Sequence, residues 1–225
     1  MFKELEFLFS PLNVLKGIGE KTIGIYKRLL TSRRILEQNK EPKVIDLLYH
    51  KPEKIIFRRQ NPDLLTVEDG ELITVKVMVD SYEKPYRSGQ PHRIRCSNNT
   101  GFITVVYFKV FPEFMARNFR EGNTVVISGK VEKFNNELQM THPDYVNTKN
   151  IPLFEEIYPL TAGLTNKALR QTIQNILPII PNLPEWLDGN FLFQHQWKSW
   201  RDSLVSLHNA TTNEELAENS PYVER

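Results

Sequence analysis

Residues 101–110, with the sequence GFITVVYFKV, decide the fold of this chain because their apolar residues fall on both faces of a strand. Successive side chains of a strand point to opposite faces. One face takes Phe102, Val106, Phe108 and Val110, and the other takes Ile103, Val105, Tyr107 and Lys109. The adjacent aromatics Tyr107 and Phe108 therefore lie on opposite faces, and one of them must point away from the core. The sequence leaves open which one.

The segments around this stretch predict a small barrel. Five segments have the pattern of strands, and they span residues 71–81, 91–97, 101–110, 123–134 and 137–146. A short helix, predicted over residues 112–119 with Pro112 in its first turn, lies between the third and fourth strands. Five strands with a helix at this position are the order of the OB-fold, a five-stranded Greek-key β-barrel. The expected fold class is α+β, with this barrel flanked by helical segments.

A long basic and aromatic connection, residues 82–92 (YEKPYRSGQPH), joins the first two predicted strands. Residues 76–109 hold six basic residues against two acidic ones. In the OB-fold, oligonucleotides bind the face of strands two and three and the loops beside it. Lysine and arginine would hold phosphates there, while an outward ring stacks on a base. The candidate DNA-binding residues are Lys84, Tyr86, Arg87, His92, Arg93, Tyr107, Phe108 and Lys109. For the charged window alone, an ordinary solvated face is the alternative interpretation.

The chain on either side of the predicted barrel is expected to be helical. We expect a helical segment at residues 1–62, the barrel domain at 63–150 and a second helical segment at 151–225. In the last of these, residues 164–177 and residues 191–208 have the apolar spacing of amphipathic helices.

A glycine-rich turn, residues 17–19 (GIG), stands ahead of a predicted helix. Such glycines let backbone amides at a helix amino terminus approach a phosphate, as in a helix-hairpin-helix element. A plain glycine turn between two packed helices fits the same residues. The Lys-Thr pair that follows does not complete a nucleotide-binding loop, because Leu15 and Glu20 stand where that motif has glycine. No site for ATP is therefore expected in this chain.

The composition is that of a globular protein. Its 225 residues are 40% hydrophobic and carry a formal net charge of +2, distributed as +6 over residues 1–60, zero over 61–150 and −4 over 151–225. The single cysteine, Cys96, excludes an internal disulfide framework, and its alternating surroundings predict a buried strand thiol.

Because the sequence shows no signal peptide and no apolar run of ~20 residues, a soluble cytoplasmic protein is expected. The histidines lack metal-ligand spacing and no GxSxG motif occurs, so no catalytic residues and no metal site are predicted.

Several stretches resemble the amino-terminal region of the RecG branched-DNA helicases. They are VLKGIGEKT at residues 14–22, DLLYHKP at 46–52, TGFITVVYFKV at 100–110, SGKVEKFNNELQMTHPDY at 128–145 and EIYPLTAGL at 156–164. With the tract from Trp197 onward, which resembles the connection to the motor of that family, they cover nearly the whole chain. Two departures from the family pattern are a turn at residues 98–100 (NNT) in place of an acid-glycine turn, and Lys109 in place of a common asparagine.

The resemblance implies a function in DNA recombination and repair. In RecG proteins this region is the wedge domain, an OB-fold that sits at the branch point of a stalled replication fork or Holliday junction. Two adjacent aromatics of the third strand act there, and Tyr107 and Phe108 match them. The sequence stops before any motor motif, so junction binding without translocation is expected, and ATP and Mg are expected only in the motor of the full-length family. The expected partners are branched DNA and a separately encoded motor domain, with no membrane, and the chain is expected to be a monomer.

Two other hypotheses remain open at this point. The chain could be a general OB module for single-stranded DNA or RNA. It could instead be a domain that docks onto another protein through its basic window.

Overall fold

The computed structural model describes residues 3–87 and 89–225, with side chains from residue 5 onward within those ranges. Residues 1 and 2 of the predicted amino-terminal segment lie outside the described residues. The chain divides into two compact units. The strand unit is residues 56–155, and the helical unit combines the residues up to 55 with those from 156 onward. Most of both predicted helical segments therefore belongs to a single unit.

Eight α-helices span the described ranges, seven of them in the helical unit. They are α1 (Lys3–Phe9), α2 (Glu20–Ser32), α3 (Val44–Leu48), α4 (Pro112–Asn118), α5 (Asn166–Ile176), α6 (Gly189–His195), α7 (Trp200–Leu207) and α8 (Pro221–Glu224). Short 3-10 helices lie at Leu12–Val14, Leu64–Thr66, Leu177–Ile179 and Glu214–Leu216. No helix within these ranges combines the length and the apolar content needed to cross a membrane.

Nine strands are described. They are β1 (Lys54–Phe57), β2 (Arg59–Gln60), β3 (Leu72–Glu83), β4 (His92–Asn98), β5 (Gly101–Tyr107), β6 (Thr124–Phe134), β7 (Glu137–Thr141), β8 (Tyr145–Val146) and β9 (Phe154–Ile157). β1 and β9 form a separate two-stranded sheet, and the other seven belong to one sheet. Strands β3, β4, β5 and β6 and helix α4 lie where the sequence predicts them. The predicted fifth strand is divided into β7 and β8, because His142 has a left-handed φ of 48° and Pro143 follows it.

The pairing of five strands in the strand unit forms a cycle. β3 pairs antiparallel with β4, and β4 pairs antiparallel with β5. β5 pairs parallel with β7, and β7 pairs antiparallel with β6. β6 in turn pairs antiparallel with β3. Alternate residues of these strands, such as Ile73, Val75 and Val77 of β3, are buried in one apolar core.

Cys96 lies in that core, as its alternating surroundings predict, and burial raises the pKa of its thiol to about 12.

The helical unit has its own apolar core, which draws on both ends of the chain. Leu29 and Leu47 from the first part pack in one cluster with Tyr158, Ile173 and Trp200 from the last part. Burying such side chains against each other is the main source of stability for short helices, which are marginal alone.

One prediction in this unit is wrong: residues 191–208 do not form a single helix. Gln196 takes a left-handed conformation with φ 56° and ends α6. Ser199 then caps α7, its hydroxyl accepting a hydrogen bond from the amide of Asp202 at 3.1 Å. Trp197 consequently lies between two helices.

Candidate nucleic-acid interface

Tyr107 is the aromatic that faces the core. It is the last residue of β5 and only 6% exposed. The rings of Phe114 and Phe119 meet it edge-on, with centroids at 5.9 and 6.0 Å. Burial raises the pKa of its phenol to about 12. The ring of Tyr107, one of the predicted DNA-binding residues, therefore packs in the core and anchors the region around α4.

Phe108 is the aromatic that faces outward, and its side chain is 57% exposed. Its backbone amide donates a hydrogen bond to Nε2 of His142 at 3.2 Å. The rings of Phe108 and His142 also stack, with centroids 6.0 Å apart and planes 25° apart. The ring of His142 thus supports one face of the Phe108 ring, and the opposite face of Phe108 is accessible to a ligand.

His142 occupies a position that the sequence did not single out. Its left-handed backbone lets its own amide donate to the carbonyl of Val106 at 2.9 Å, on the strand that ends at Tyr107. Because Nε2 accepts the hydrogen bond from Phe108, the neutral ring carries its proton on Nδ1. His142 also meets the ring of Tyr107 edge-on at 5.2 Å.

A second exposed aromatic follows within the same connection. Phe111 precedes Pro112 at the start of α4 and is more exposed than Phe108. Lys109, between the two phenylalanines, is also exposed. We call Phe108, Lys109, Phe111 and the supporting His142 the aromatic corner. An aromatic surface with an adjacent cation is suited to contact nucleic-acid bases and phosphates.

The base of the β3–β4 loop lies beside the end of β5. In the sheet register, Glu83 pairs with Arg93, and His92 pairs with Tyr107. Lys84 follows directly after β3 and is exposed. Tyr86 and Arg87, in the turn that closes the loop, are also exposed. The structure therefore brings the ends of the predicted basic loop to the aromatic corner, as the OB-fold order predicts.

His92 and Arg93 have more specific surroundings than the sequence indicates. Nδ1 of His92 lies 2.6 Å from the hydroxyl of Tyr82, and the two rings stack with centroids 5.9 Å apart. His92 thus closes the base of the loop. Arg93 is half-buried on the outer face of β4, next to Val106 in register. Among the predicted set, the exposed cations are Lys84, Arg87 and Lys109.

Another pair on the same sheet escaped the sequence prediction. The guanidinium of Arg95 on β4 lies over the ring of Phe102 on β5, with Cζ 5.1 Å from the centroid. The signal was present, because the alternation along this strand places Phe102 on the same face as Phe108. No cluster of three or more His, Cys, Asp or Glu side chains placed to hold a metal occurs in the described ranges.

Comparison with known proteins agrees with this geometry. The family described as "OB-fold nucleic acid binding domain" matches residues 73–147, which contain the five cyclically paired strands except for Leu72 at the start of β3. The ATP-dependent DNA helicase RecG of Aquifex aeolicus (strain VF5) is 28% identical over an alignment of 219 residues, and the alignment covers 92% of this chain and 26% of the relative. This chain is homologous to the amino-terminal region of RecG. The RecG of Acidithiobacillus ferridurans is 22% identical over 90% of the chain and 28% of the relative.

Part of a solved RecG structure has the same fold as this chain. A solved structure described as "Structure of RecG bound to three-way DNA junction" superposes with a TM-score of 0.67 at 20% identity, covering 93% of this chain and 29% of the solved one. The resemblance to RecG and the presence of an OB-fold domain are therefore confirmed. The chain spans about a quarter of the length of the RecG relatives it matches.

Proposed function

We propose that this chain binds branched DNA, such as stalled replication forks and Holliday junctions, as the wedge part of a RecG-type helicase acting in recombination and repair. The observation that carries this proposal is the exposed ring of Phe108, held at the end of β5 by His142. The cycle of strand pairings supports a five-stranded OB barrel as the rigid body of the wedge. A rigid edge ending in a flat ring is suited to cover the last base pair of a duplex arm.

The chemistry of the aromatic corner favours recognition of DNA shape over base sequence. Stacking of one base on an aromatic ring contributes about 1–3 kcal/mol and tolerates any base, because every base has a flat face. The exposed cations Lys84, Arg87 and Lys109 supply phosphate contacts, which position the DNA without reading its sequence. Because these contacts release counterions, the affinity is expected to fall steeply as salt is raised.

Translocation is not part of the activity proposed for this chain. Its RecG relatives are about four times longer, and we place ATP and Mg in a motor outside residues 1–225. The chain itself would bind DNA without a cofactor and as a monomer, with a motor domain as a further partner. Binding to a fork is then expected to be unchanged when ATP and Mg are added to the pure chain.

The test compares a three-way fork, a plain duplex and a single strand by fluorescence anisotropy over a range of salt concentrations. The wild-type chain is expected to prefer the fork, and Phe108→Ala is expected to reduce that preference about 5- to 150-fold, the equivalent of one lost stack. Phe108 is changed alone because removing the buried ring of Tyr107 would damage the core. Phe9→Ala is the matched control, since Phe9 is 49% exposed and belongs to the helical unit.

Three results would overturn the proposal. The first is equal affinity of the wild-type chain for fork, duplex and single strand, which indicates a general nucleic-acid-binding module. The second is a fork preference that Phe108→Ala leaves intact while its thermal unfolding matches wild type. The third is absence of binding to any of the three DNAs at low salt, which favours a protein-docking domain.

A further inference from the structure

A strongly basic surface lies in the helical unit, on α2 and at its two ends. Residues 16–34 hold six basic residues and one acidic residue, Glu20, although the formal net charge of the whole chain is only +2. One of the six, Lys27, forms an ion pair with Glu41 at 2.5 Å. The other five are exposed, and none of them forms an ion pair with a described carboxylate. We call these five the α2 cations: Lys16, Lys21, Arg28, Arg33 and Arg34.

The α2 cations lie away from the buried face of the helix. Tyr26, Leu29 and Leu30 pack in the core of the helical unit. Because an α-helix turns by about 100° per residue, Lys21 and Arg28 lie within about 20° of each other around its axis, on the solvent side. The first and last α2 residues of this charged segment, Lys21 and the capping Arg33, are about 18 Å apart along the axis at a rise of about 1.5 Å per residue. The charge therefore extends along most of the helix.

Two residues on the solvent side of α2 are unfavourable for the helix itself. Glycine inside a helix is less stable than alanine, and Gly24 is exposed with nothing within 4 Å of the position that a Cβ would take. No packing contact with the described residues therefore requires glycine there. Lys21 lies in the first turn, where the helix dipole favours acidic side chains. Residues that break such local rules without a structural gain are expected at functional sites.

The chemistry of this side of α2 fits the backbone of paired DNA. Tyr26 is the only aromatic residue among residues 16–34, and it is buried, so there is no ring for base stacking. The small residues Gly24 and Ser32, both exposed, leave room for a phosphate backbone to approach the helix. Duplex DNA hides its base faces and carries one negative charge per about 1.7 Å of its axis, so a length of about 18 Å presents about ten phosphates.

We propose that the exposed side of α2 binds the phosphates of a paired arm of the branched DNA whose branch point the aromatic corner contacts. This inference rests on the proposed function and adds a second contact, in the other unit. The two contacts have separate effects. Stacking on Phe108 sets the preference for a fork, whereas the α2 cations strengthen binding to any paired DNA. The alternative is a basic surface that serves only solubility, and its removal would matter no more than removal of the same charge elsewhere.

The first experiment measures how the affinity of the full chain for a fork and for a plain duplex depends on salt. Lys21→Gln/Arg28→Gln removes two cations and retains residues that favour a helix. Each lost phosphate contact is expected to reduce the slope of log K against log salt by about 0.9, so the double variant should lose about 1.8. Raising the salt from about 50 to about 200 mM should then weaken its binding about tenfold less than that of wild type. The ratio of fork to duplex affinity is expected to stay at the wild-type value.

The matched control is Lys40→Gln/Lys167→Gln, which removes the same charge from exposed positions of the helical unit outside the α2 cations. It is expected to keep the wild-type slope, because salt screens charges that do not touch the DNA. Equal losses of affinity and slope in the control and in Lys21→Gln/Arg28→Gln would indicate general electrostatic attraction and would overturn the proposal.

The second experiment tests the approach of the DNA at Gly24. Gly24→Glu and Gly24→Gln add side chains of the same size that meet no described atom at Cβ, and both residues favour a helix more than glycine does. Both variants are therefore expected to unfold at or above the wild-type temperature. Gly24→Glu is expected to bind the duplex about fivefold or more weakly than Gly24→Gln, because its carboxylate repels nearby phosphates. Equal duplex affinities of these two variants would contradict the proposal.

The outcomes separate this proposal from the proposed function. If Lys21→Gln/Arg28→Gln keeps the wild-type affinity and slope, the α2 proposal fails, while the fork preference and its loss in Phe108→Ala stand. If the wild-type chain shows no fork preference but the double variant loses duplex affinity and slope, the proposed function fails and α2 remains a duplex-binding surface. Equal losses for a single strand and for a duplex of the same length would overturn the assignment of a paired arm as the occupant.

Discussion

At the residue scale, the adjacent aromatics Tyr107 and Phe108 have different roles, because the first is buried in the core and the second is exposed. Tyr107 is buried against Phe114 and Phe119, and it fixes the end of β5 in the core. Phe108 takes the opposite direction and depends on His142 for its position. Because His142 contacts both rings, it links the buried anchor to the exposed ring.

This arrangement predicts distinct effects of two substitutions at His142. His142→Ala removes the acceptor and the ring that support Phe108, so the fork preference is expected to fall about 3- to 10-fold, part of the value of one stack. His142→Asn is expected to retain more of the preference, because asparagine offers an acceptor and tolerates a left-handed φ. The measurement is the ratio of fork to duplex affinity, alongside thermal unfolding.

If His142→Asn lost as much fork preference as His142→Ala, the ring stack rather than the backbone support would be the essential contact. If neither substitution changed the preference, His142 would have no part in presenting Phe108.

How far the sequence predicts this site is clear from the same residues. The alternation of side chains along a strand predicts that Tyr107 and Phe108 point to opposite faces. Which of them points into the core depends on the register with the neighbouring strands, and the sequence of one strand does not reveal that register. The role of His142 depends on a contact across 34 positions of chain and on a left-handed backbone. Neither is visible in a local pattern.

At the element scale, Arg58 connects several parts of the strand unit. Its buried guanidinium donates to Oε2 of Glu155 from Nε at 3.0 Å and from Nη2 at 2.6 Å. Nη2 also lies 2.9 Å from Asp144, and Nη1 donates to the hydroxyl of Ser128 on β6 at 3.3 Å. Cζ lies 5.1 Å from the centroid of Tyr145 on β8. One side chain thus holds the two ends of the strand unit against its sheet.

Removing this guanidinium is expected to destabilise the strand unit strongly. Arg58→Ala removes both hydrogen bonds that the guanidinium donates to the buried carboxylate of Glu155, and breaking a buried ion pair in this way costs about 3–5 kcal/mol in free energy of unfolding. Arg58→Lys is expected to rescue little, because an ammonium does not reproduce the planar set of donors. Urea denaturation of each variant gives the free energies.

The neighbouring arginine supplies the control. Arg59 is partly exposed and lies 3.4 Å from Glu71, so Arg59→Ala is expected to cost less than about 1 kcal/mol. Equal losses for Arg58→Ala and Arg59→Ala would contradict the assigned role of the buried network.

The elements themselves were predictable to different degrees. In strands β3 to β6 only one face is buried in the core, so apolar and polar residues tend to alternate along the sequence. Their predicted bounds therefore lie close to the observed ones. The short β1 and β9 lack enough residues to show a period. No glycine or proline marks the break between α6 and α7 in the sequence, because glutamine at position 196 takes the left-handed conformation that ends α6.

At the scale of the whole molecule, two buried histidines lie in the core of the helical unit. Nε2 of His208 donates to the carbonyl of Leu48 at 2.7 Å, and Nδ1 accepts from the hydroxyl of Tyr158 at 3.0 Å. Nε2 of His50 donates to the carbonyl of Pro159 at 2.9 Å. Burial lowers the pKa of His208 to about 4 and lowers that of His50 as well.

These shifts predict that acid weakens the helical unit. The pKa of His208 is lower in the folded than in the unfolded chain, so the unfolded chain binds its proton first as pH falls. The contribution of His208 to the free energy of unfolding is fully present above about pH 6.5. It is lost progressively as the pH falls toward 4, by up to about 3 kcal/mol. Urea denaturation between pH 7.5 and 4 measures it. His208→Asn should be less stable at neutral pH and show a smaller dependence on pH, whereas His195→Asn, at an exposed position, should keep the wild-type dependence.

The discontinuous helical unit also bears on how the protein is made. Ribosomal synthesis proceeds from the amino terminus, at about 5–20 residues per second in cells. Leu29 and Leu47 leave the ribosome long before Tyr158, Ile173 and Trp200, which complete their core. Residues 56–155 emerge in between with all of their own core, so they are able to fold first. Until the residues from 156 onward emerge, the core of the amino-terminal helices is incomplete and their leucines are not fully buried. We therefore expect a chaperone that binds exposed apolar segments to act on these helices during translation.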